Sequence, residues 1–333
     1  MVESGIMDTV ESNTFDSFLV ELDDISWSEA LDVLVPLIHP VDQDATRIWF
    51  AFWPLHLLRI VQESENIDQL ERQLELKGNY RIEEQLDSSV DFLFGSRYWL
   101  EVKEAVRSQA QSSTSPEGGL ADQIRATARA LASSLQVPES HLTGITAVAW
   151  MAWRQVGPDV FSAGPARPVP QKSSPEQILK ARAKKRRGWL GFLRTVDAKY
   201  TVVFNEKEKR SFFKAIHGQD VSMAAAKDPR DYRSIDLRRT EGPIPFQCRT
   251  GTCGTCWFGV LSGKENLNPI SDWEKDRLKV FGYDFGLSDG ETHPPIRLSC
   301  QVQCLGNLSV TVAPWNGILN VQRFDADRAS GGS

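Results

Sequence analysis

The sequence predicts an α+β protein in which an all-α N-terminal domain precedes a domain of short strands. Residues 12–155 place apolar side chains at helical spacing. Beyond residue 198 the pattern changes to short alternating runs separated by turn residues, and all five cysteines lie in this part. We therefore predict a helical domain over residues 1–160, a linker over 161–197 and a second domain over 198–325.

Length, charge and composition narrow the classes of function. The chain has 333 residues, enough for two domains, and its net charge of −6 argues against a nucleic-acid partner. The first residues lack the apolar core of a signal peptide, and the longest apolar run, residues 48–58, is too short to span a bilayer. We expect a cytoplasmic protein, where clustered cysteines indicate a metal site rather than disulfides.

The N-terminal domain is predicted to be a bundle of helices. The first clear helical stripe starts near Ser28, which is the predicted N-cap. The next helix, residues 42–62, is expected to bend at Pro54, and a further break is expected at Gly95. The predicted core is aromatic and consists of Trp49, Trp53, Trp99, Trp150 and Trp153.

A proline-rich stretch, residues 157–177, predicts an extended linker. It leads into residues 178–194, which contain seven basic residues and no acidic one. This basic segment has two interpretations. It is either a linker helix that packs its apolar residues onto one domain, or a cationic segment that touches a membrane surface or a partner.

The cysteines carry the strongest functional signal. Cys248, Cys253 and Cys256 form a C-x4-C-x2-C pattern, and Cys300 follows after 43 residues. Plant-type [2Fe–2S] sites have this spacing, because a short loop supplies three thiolates and a distant segment supplies the fourth. Glycines within the loop let its backbone approach a cluster closely. Zinc is the alternative, but structural zinc sites usually combine two C-x-x-C pairs and only one is present here.

The motifs "CRTGTCGTCWFGVLSG" and "RLSCQ" give residues 198–322 a clear resemblance to the plant-type [2Fe–2S] ferredoxin family. This resemblance implies a β-grasp fold and one [2Fe–2S] cluster bound by Cys248, Cys253, Cys256 and Cys300. It also implies single-electron transfer to a redox partner protein. The N-terminal domain resembles no family that we recognise.

The segment between Cys256 and Cys300 is longer than is usual in that family. Ser271 and Glu274 form a capping box, which predicts a helix. This helix and the following loop present either an acidic docking surface or an ordinary solvated face, formed by Asp272, Glu274, Asp276, Asp284, Asp289 and Glu291. The fifth cysteine, Cys304, is expected to be a small buried residue on the same side of a strand as Cys300.

No G-x-G-x-x-G motif follows a predicted strand, so we expect no nucleotide-dependent catalysis by this chain itself. The predicted function is electron transfer, as a subunit or dedicated carrier of a larger oxidoreductase. The helical domain is expected to hold the partner, because ten tryptophans suggest interface anchors as well as core. The alternative is a redox or iron sensor, or a scaffold protein. A haem held by His39 and His56 is a further, weaker possibility.

Overall fold

The computed structural model describes residues 14–53, 66, 82–111, 118–163, 173–186, 198–283 and 290–315. Helices occupy the N-terminal half as far as residue 163, and strands appear from residue 199 onward. The predicted α+β class is therefore confirmed.

The helical half begins with α1 (Thr14–Glu21), α2 (Asp24–Leu34) and α3 (Gln43–Phe52). It continues with α4 (Ile82–Ser89), α5 (Trp99–Gln111), α6 (Leu120–Leu135) and α7 (Thr143–Ala163), and α8 (Pro175–Arg186) follows. Short 3₁₀ turns cover Val35–Leu37, Phe94–Tyr98 and Glu139–His141.

Two predicted helix boundaries are wrong. The N-cap of α2 is Asp23 rather than Ser28, and its carboxylate accepts the Ser26 N–H at 2.8 Å. Helix α3 ends at Phe52, because the residue before a proline is pushed out of the helical conformation, and the predicted bend at Pro54 lies outside the described residues. Trp53 indeed has φ −127° and ψ 58°. The rest of the predicted helix lies outside the described residues.

The predicted aromatic core is confirmed. All five predicted tryptophans are at most 5% exposed, and Trp27 joins them. Three of the indole N–H groups have hydrogen-bond partners: Trp99 donates to Asp87 at 2.7 Å, Trp153 to Asp16 at 2.6 Å and Trp49 to Ser89 at 3.0 Å. These tryptophans therefore fill the core, and their number does not by itself indicate a partner surface.

The predicted extended linker is wrong at its start. Helix α7 continues to Ala163 across a local break at Gly157, where φ is 74°. Residues 164–172 lie outside the described part. Helix α8 then contacts both halves, because Arg182 donates to the Val41 carbonyl at 2.9 Å and to Glu206 at 3.0 Å. The end of the basic segment, residues 187–194, also lies outside the described part.

The C-terminal half is built on a five-stranded sheet. Its strands are β1 (Lys199–Val203), β2 (Phe212–Ile216), β4 (Trp257–Ser262), β5 (Ile296–Leu298) and β7 (Leu308–Val312), in the order β2-β1-β7-β4-β5. Strands β1 and β7 are parallel, whereas the other neighbours are antiparallel. A small second sheet pairs β3 (Gln219–Asp220) with β6 (Gln303–Cys304). Two helices, α9 (Val221–Ala225) and α10 (Asp272–Val280), complete this half.

Strand β4 is buried on both faces. Phe258 and Val260 pack in the core that includes α9, whereas Trp257 and Leu261 belong to the core of the helical half. Gly259 lies against Ile48 of α3 so closely that a Cβ atom would stand 2.5 Å from the Ile48 Cγ2. A continuous apolar run such as "WFGVL" suits a strand with two buried faces.

Aromatic and charged pairs hold the two halves together along this boundary. The Phe52 and Trp257 rings meet edge to face with centroids 4.9 Å apart. Arg47 pairs with Glu291 at 2.6 Å, and Lys264 pairs with Asp44 at 3.0 Å. The helical half is therefore a layer packed on the sheet, which differs from the separate domain on a proline-rich tether that the sequence suggested.

Candidate metal centre

The four predicted ligands come from two segments that the sheet register brings together. Cys248 and Cys253 lie in the irregular loop before β4, and Cys256 directly precedes that strand. Because Trp257 pairs with Leu298 in antiparallel register, Cys256 is placed beside Cys300 in the turn after β5. Their sulfur atoms are 3.3 Å apart, well beyond the roughly 2.05 Å of a disulfide.

Backbone N–H groups of the loop point at the first thiol. Thr250 and Cys253 donate to the Cys248 Sγ at 3.4 and 3.3 Å. Burial raises the pKa of Cys248, but hydrogen bonds from the side chain and backbone of Thr250 and from Cys253 outweigh it and bring that pKa down to about 6. The loop therefore stabilises a thiolate, the form that binds metal.

The second pair of thiols is more enclosed. Cys256 and Cys300 are both buried, whereas Cys248 and Cys253 are partly exposed. The hydrogen bond between the two thiols raises the pKa of Cys256, and burial raises it further. The same hydrogen bond lowers the pKa of Cys300. The centre therefore has a buried side toward the core and a partly open side formed by the loop.

Two glycines let the loop fold tightly. Gly251 and Gly254 have φ values of 79° and 69°, a conformation that residues with a Cβ seldom adopt. A Cβ at position 254 would stand 3.0 Å from the Phe281 ring, and one at 251 would stand 3.2 Å from the Trp273 indole nitrogen. These glycines let the loop pack closely against Phe281 and Trp273, and the predicted approach of the loop backbone to a cluster stays a prediction.

Helix α10 holds the loop of residues 248–256, called the cluster loop below, in place through two side chains one turn apart. Trp273 donates its indole N–H to the Thr250 carbonyl at 3.3 Å, and Arg277 donates to the Thr252 carbonyl at 2.9 Å. The Arg277 guanidinium also lies 5.6 Å from the Trp273 ring centroid. We did not predict either contact, although the i, i+4 spacing on a predicted helix was the available signal.

Two of the six acidic residues predicted for the surface of this segment are paired inside the structure instead. Ser271 does cap α10 by accepting the Glu274 N–H at 3.1 Å, but the Glu274 side chain is fully buried against Arg297. Glu291 pairs with Arg47 instead of facing a partner. Asp272 and Asp276 remain exposed, whereas Asp284 and Asp289 lie outside the described residues.

Cys304 is buried, as predicted, but it belongs to a different core from Cys300. It packs with the residues around α9, whereas Cys300 packs in the core shared with the helical half. Its thiol donates to the Gly306 carbonyl at 3.1 Å, and burial raises its pKa to about 12. The expectation that both cysteines share one side of a strand is wrong.

This arrangement suits an iron–sulfur cluster. The donor set consists of soft thiol sulfurs, and the glycine-rich loop offers N–H groups to sulfur. Residues 224–304 match the family model of the 2Fe-2S iron-sulfur cluster binding domain. The C-terminal half contains a [2Fe–2S] cluster-binding domain. This cluster domain includes the positions of all four predicted ligands.

No solved structure matches the chain. Within the described residues, every helix is too short or too polar to cross a lipid bilayer.

Proposed function

We propose that this protein transfers single electrons through one [2Fe–2S] cluster bound by Cys248, Cys253, Cys256 and Cys300. The observation that carries the proposal is the 3.3 Å approach of Cys256 and Cys300 beside a loop whose N–H groups already face Cys248. The match to a cluster-binding family supports the same assignment. When bound, such a cluster supplies one-electron oxidation and reduction.

The four cysteines lie on two different sides of the proposed centre. Cys256 and Cys300 form the buried side and keep water away, and Cys248 and Cys253 form the side nearer the solvent. Trp273, which is 50% exposed, lies directly beside the loop. We infer that a redox partner approaches this side, because electron transfer needs a short path between the two centres.

We further propose that the chain serves a larger oxidoreductase, as a subunit or dedicated carrier, without catalysis of its own. In this proposal residues 1–160 hold the partner, 161–197 connect the halves and 198–325 carry the cluster. Exposed apolar side chains on α1 and α2 support the docking role: Val20, Ile25 and Val33 are 63%, 66% and 59% exposed.

The cytoplasm is the compartment we propose, because clustered cysteines that serve a metal site rather than disulfides are typical of a reducing environment. Peripheral membrane contact through residues 178–194 remains part of the proposal, supported by the seven basic residues of that segment.

The experiment uses the full-length chain, because removing the helical half would expose Trp257 and Leu261 of the shared core. The purified protein should contain about two irons and two acid-labile sulfides and should undergo repeated reduction and reoxidation. The far-ultraviolet circular dichroism, which reports the protein fold, should stay unchanged through the cycle. Zinc in place of iron and sulfide, with no visible absorption, would contradict the proposal, and a large structural change on reduction would instead favour the sensor function.

A further inference from the structure

A cluster of potential metal ligands lies in the helical half, away from the cysteines. The His39 and His141 rings meet edge to face with centroids 4.9 Å apart. Glu176, in the first turn of α8, completes a group whose ligand atoms all lie within 4.8 Å of one another. The predicted partner of His39 was His56, which lies outside the described residues, and the histidine that the fold places beside it is His141.

The backbone fixes the three elements that carry these side chains. The His39 N–H donates to the Ser140 carbonyl at 2.9 Å, which joins the two loops directly. Ser174 and Gln177 form a reciprocal capping box at the start of α8, with bonds of 2.9 and 3.2 Å. The three side chains therefore extend from preformed positions, as a binding site requires.

The two histidines are partly buried and Glu176 is exposed. Neutral imidazole and ionised carboxylate are the forms of these side chains that bind metal.

We propose that His39, His141 and Glu176 bind a divalent transition-metal ion, with Zn²⁺ as the expected ion. Two imidazole nitrogens and one carboxylate suit zinc, whereas calcium and magnesium prefer oxygen ligands alone. Three protein ligands leave a fourth position for water. The Glu176 side chain is exposed and therefore free to bring its carboxylate to the ion that the two histidines hold. The bound ion then joins the start of α8 to the loops that carry His39 and His141.

Two neighbouring groups, the Arg97 guanidinium and the Val41 N–H, oppose metal binding by the histidines. Other contacts of Arg97, and the length of the Val41 hydrogen bond, limit their effect. Arg97 brings a positive charge close to His141, but its guanidinium is engaged by the Ser173 carbonyl at 2.7 Å and lies 3.6 Å from the Phe94 ring centroid. The Val41 N–H donates to the His39 Nδ1 at 3.3 Å. Binding through Nε2 moves the ring proton to Nδ1 and breaks only this long hydrogen bond.

The test is a zinc titration of the untagged full-length protein with its cluster loaded, so that the cluster cysteines are already occupied. After gel filtration the wild-type protein should retain one zinc per chain, with the visible cluster spectrum unchanged. His141→Ala should weaken zinc affinity at least about 100-fold, because even supporting residues around metal sites contribute 10–100-fold. His217→Ala is the matched control, since His217 is exposed and its imidazole instead pairs with Tyr200.

X-ray absorption at the zinc edge identifies the ligands. The proposed site predicts nitrogen and oxygen neighbours at about 2.0–2.1 Å and no sulfur shell near 2.3 Å. A sulfur shell, or equal zinc retention by wild type and His141→Ala, would overturn the proposal. If His141→Ala loses its fold by circular dichroism, the exposed variant Glu176→Gln decides, and unchanged affinity in that variant also overturns it. The outcome is independent of the electron-transfer function, which the cluster spectrum monitors separately.

Discussion

Arg297 donates to both carboxylate oxygens of Glu274, at 2.9 and 2.8 Å, and neither side chain is exposed to solvent. Glu274 also accepts the Leu298 N–H at 2.8 Å. The pair thus ties α10, which holds the cluster loop, to β5, the strand that leads into Cys300. A buried ion pair of this kind becomes costly when one partner is removed, because the other charge is left unpaired.

Glu274→Gln is expected to destabilise the protein by about 3–5 kcal/mol, since it leaves the buried Arg297 without its carboxylate. Denaturant unfolding of the cluster-loaded protein measures this, and the visible absorption should also fade sooner. Asp276→Asn on the same helix is the control, because Asp276 is exposed and its loss should change stability by less than about 0.5 kcal/mol. Equal stability of the two variants would contradict the role given to this pair.

Serine substitutions separate the ligand from the fifth cysteine. Cys300→Ser should lose or badly destabilise the cluster, because it removes one of four thiolates from the closed side of the centre. Cys304→Ser should retain the cluster, since Cys304 belongs to the other core and a serine hydroxyl can still donate to the Gly306 carbonyl. Iron and sulfide analysis checks both, and an intact cluster in Cys300→Ser would refute the ligand assignment.

The boundary between the two halves is tested at Gly259 and Ile48. Gly259→Ala should cost about 1–3 kcal/mol, because the new methyl group would stand 2.5 Å from the Ile48 Cγ2. Ile48→Ala should cost about 2–5 kcal/mol through the cavity it leaves. Combined, the two changes should cost less than their sum, since each relieves the other.

A double-mutant cycle from denaturant unfolding gives that coupling. Direct packing of Ile48 on Gly259 requires at least about 0.5 kcal/mol of favourable coupling between the two sites. Additive effects would mean that the helical half does not pack on the sheet in solution. The single-variant curves also report whether the two halves unfold in one transition, as a shared core implies.

Local patterns predicted most of the elements, whereas the packing between the halves could not be predicted. The helical spacing of residues 120–135 and the strand pattern of "WFGVL" both reappear in the structure. However, the pattern around Trp257 and Leu261 predicts only a strand, and it does not indicate that α3 packs against them. Contacts between distant segments depend on three-dimensional placement, which periodicity does not encode.

In the candidate site, too, the features set by local sequence could be predicted and the contacts between distant segments could not. The spacing of the four cysteines predicts a metal loop, because such a loop has a strict local geometry, and the structure brings the Cys256 and Cys300 sulfurs to 3.3 Å of each other. Glu274 was predicted to lie on an acidic surface because charged residues are usually exposed. Its partner Arg297 lies on another element, so no local pattern indicates that the two charges are buried together.

The buried carboxyl group of Asp42 should make the free energy of unfolding depend on pH. Burial raises its pKa from 3.8 to about 6, although the N–H groups of Phe94 and Gly95 and the nearby Arg182 and Arg97 lower it. A carboxyl whose pKa is raised on folding stabilises the protein at low pH, and this contribution is lost as pH rises through 6. Between pH 5 and 7 the loss should be about 1 kcal/mol.

Asp42→Asn should lack this part of the slope, because its side chain does not titrate. The comparison uses unfolding free energies of wild type and variant at pH 5 and pH 7, so that other titrating groups cancel. Parallel pH profiles for the two proteins would show that Asp42 keeps an ordinary pKa, and the buried position assigned to it would then be wrong.

A redox titration of the full-length protein, followed by electron paramagnetic resonance, tests the central claim most directly. We predict one unpaired spin per chain on reduction and a midpoint potential on the order of −400 mV, as for plant-type centres. The positive charge of Arg297 should not raise the potential appreciably, because Glu274 neutralises it, and Arg249 is paired with Glu241 at 2.9 Å. A midpoint above zero, or no paramagnetic signal on reduction, would contradict a four-cysteine [2Fe–2S] electron carrier.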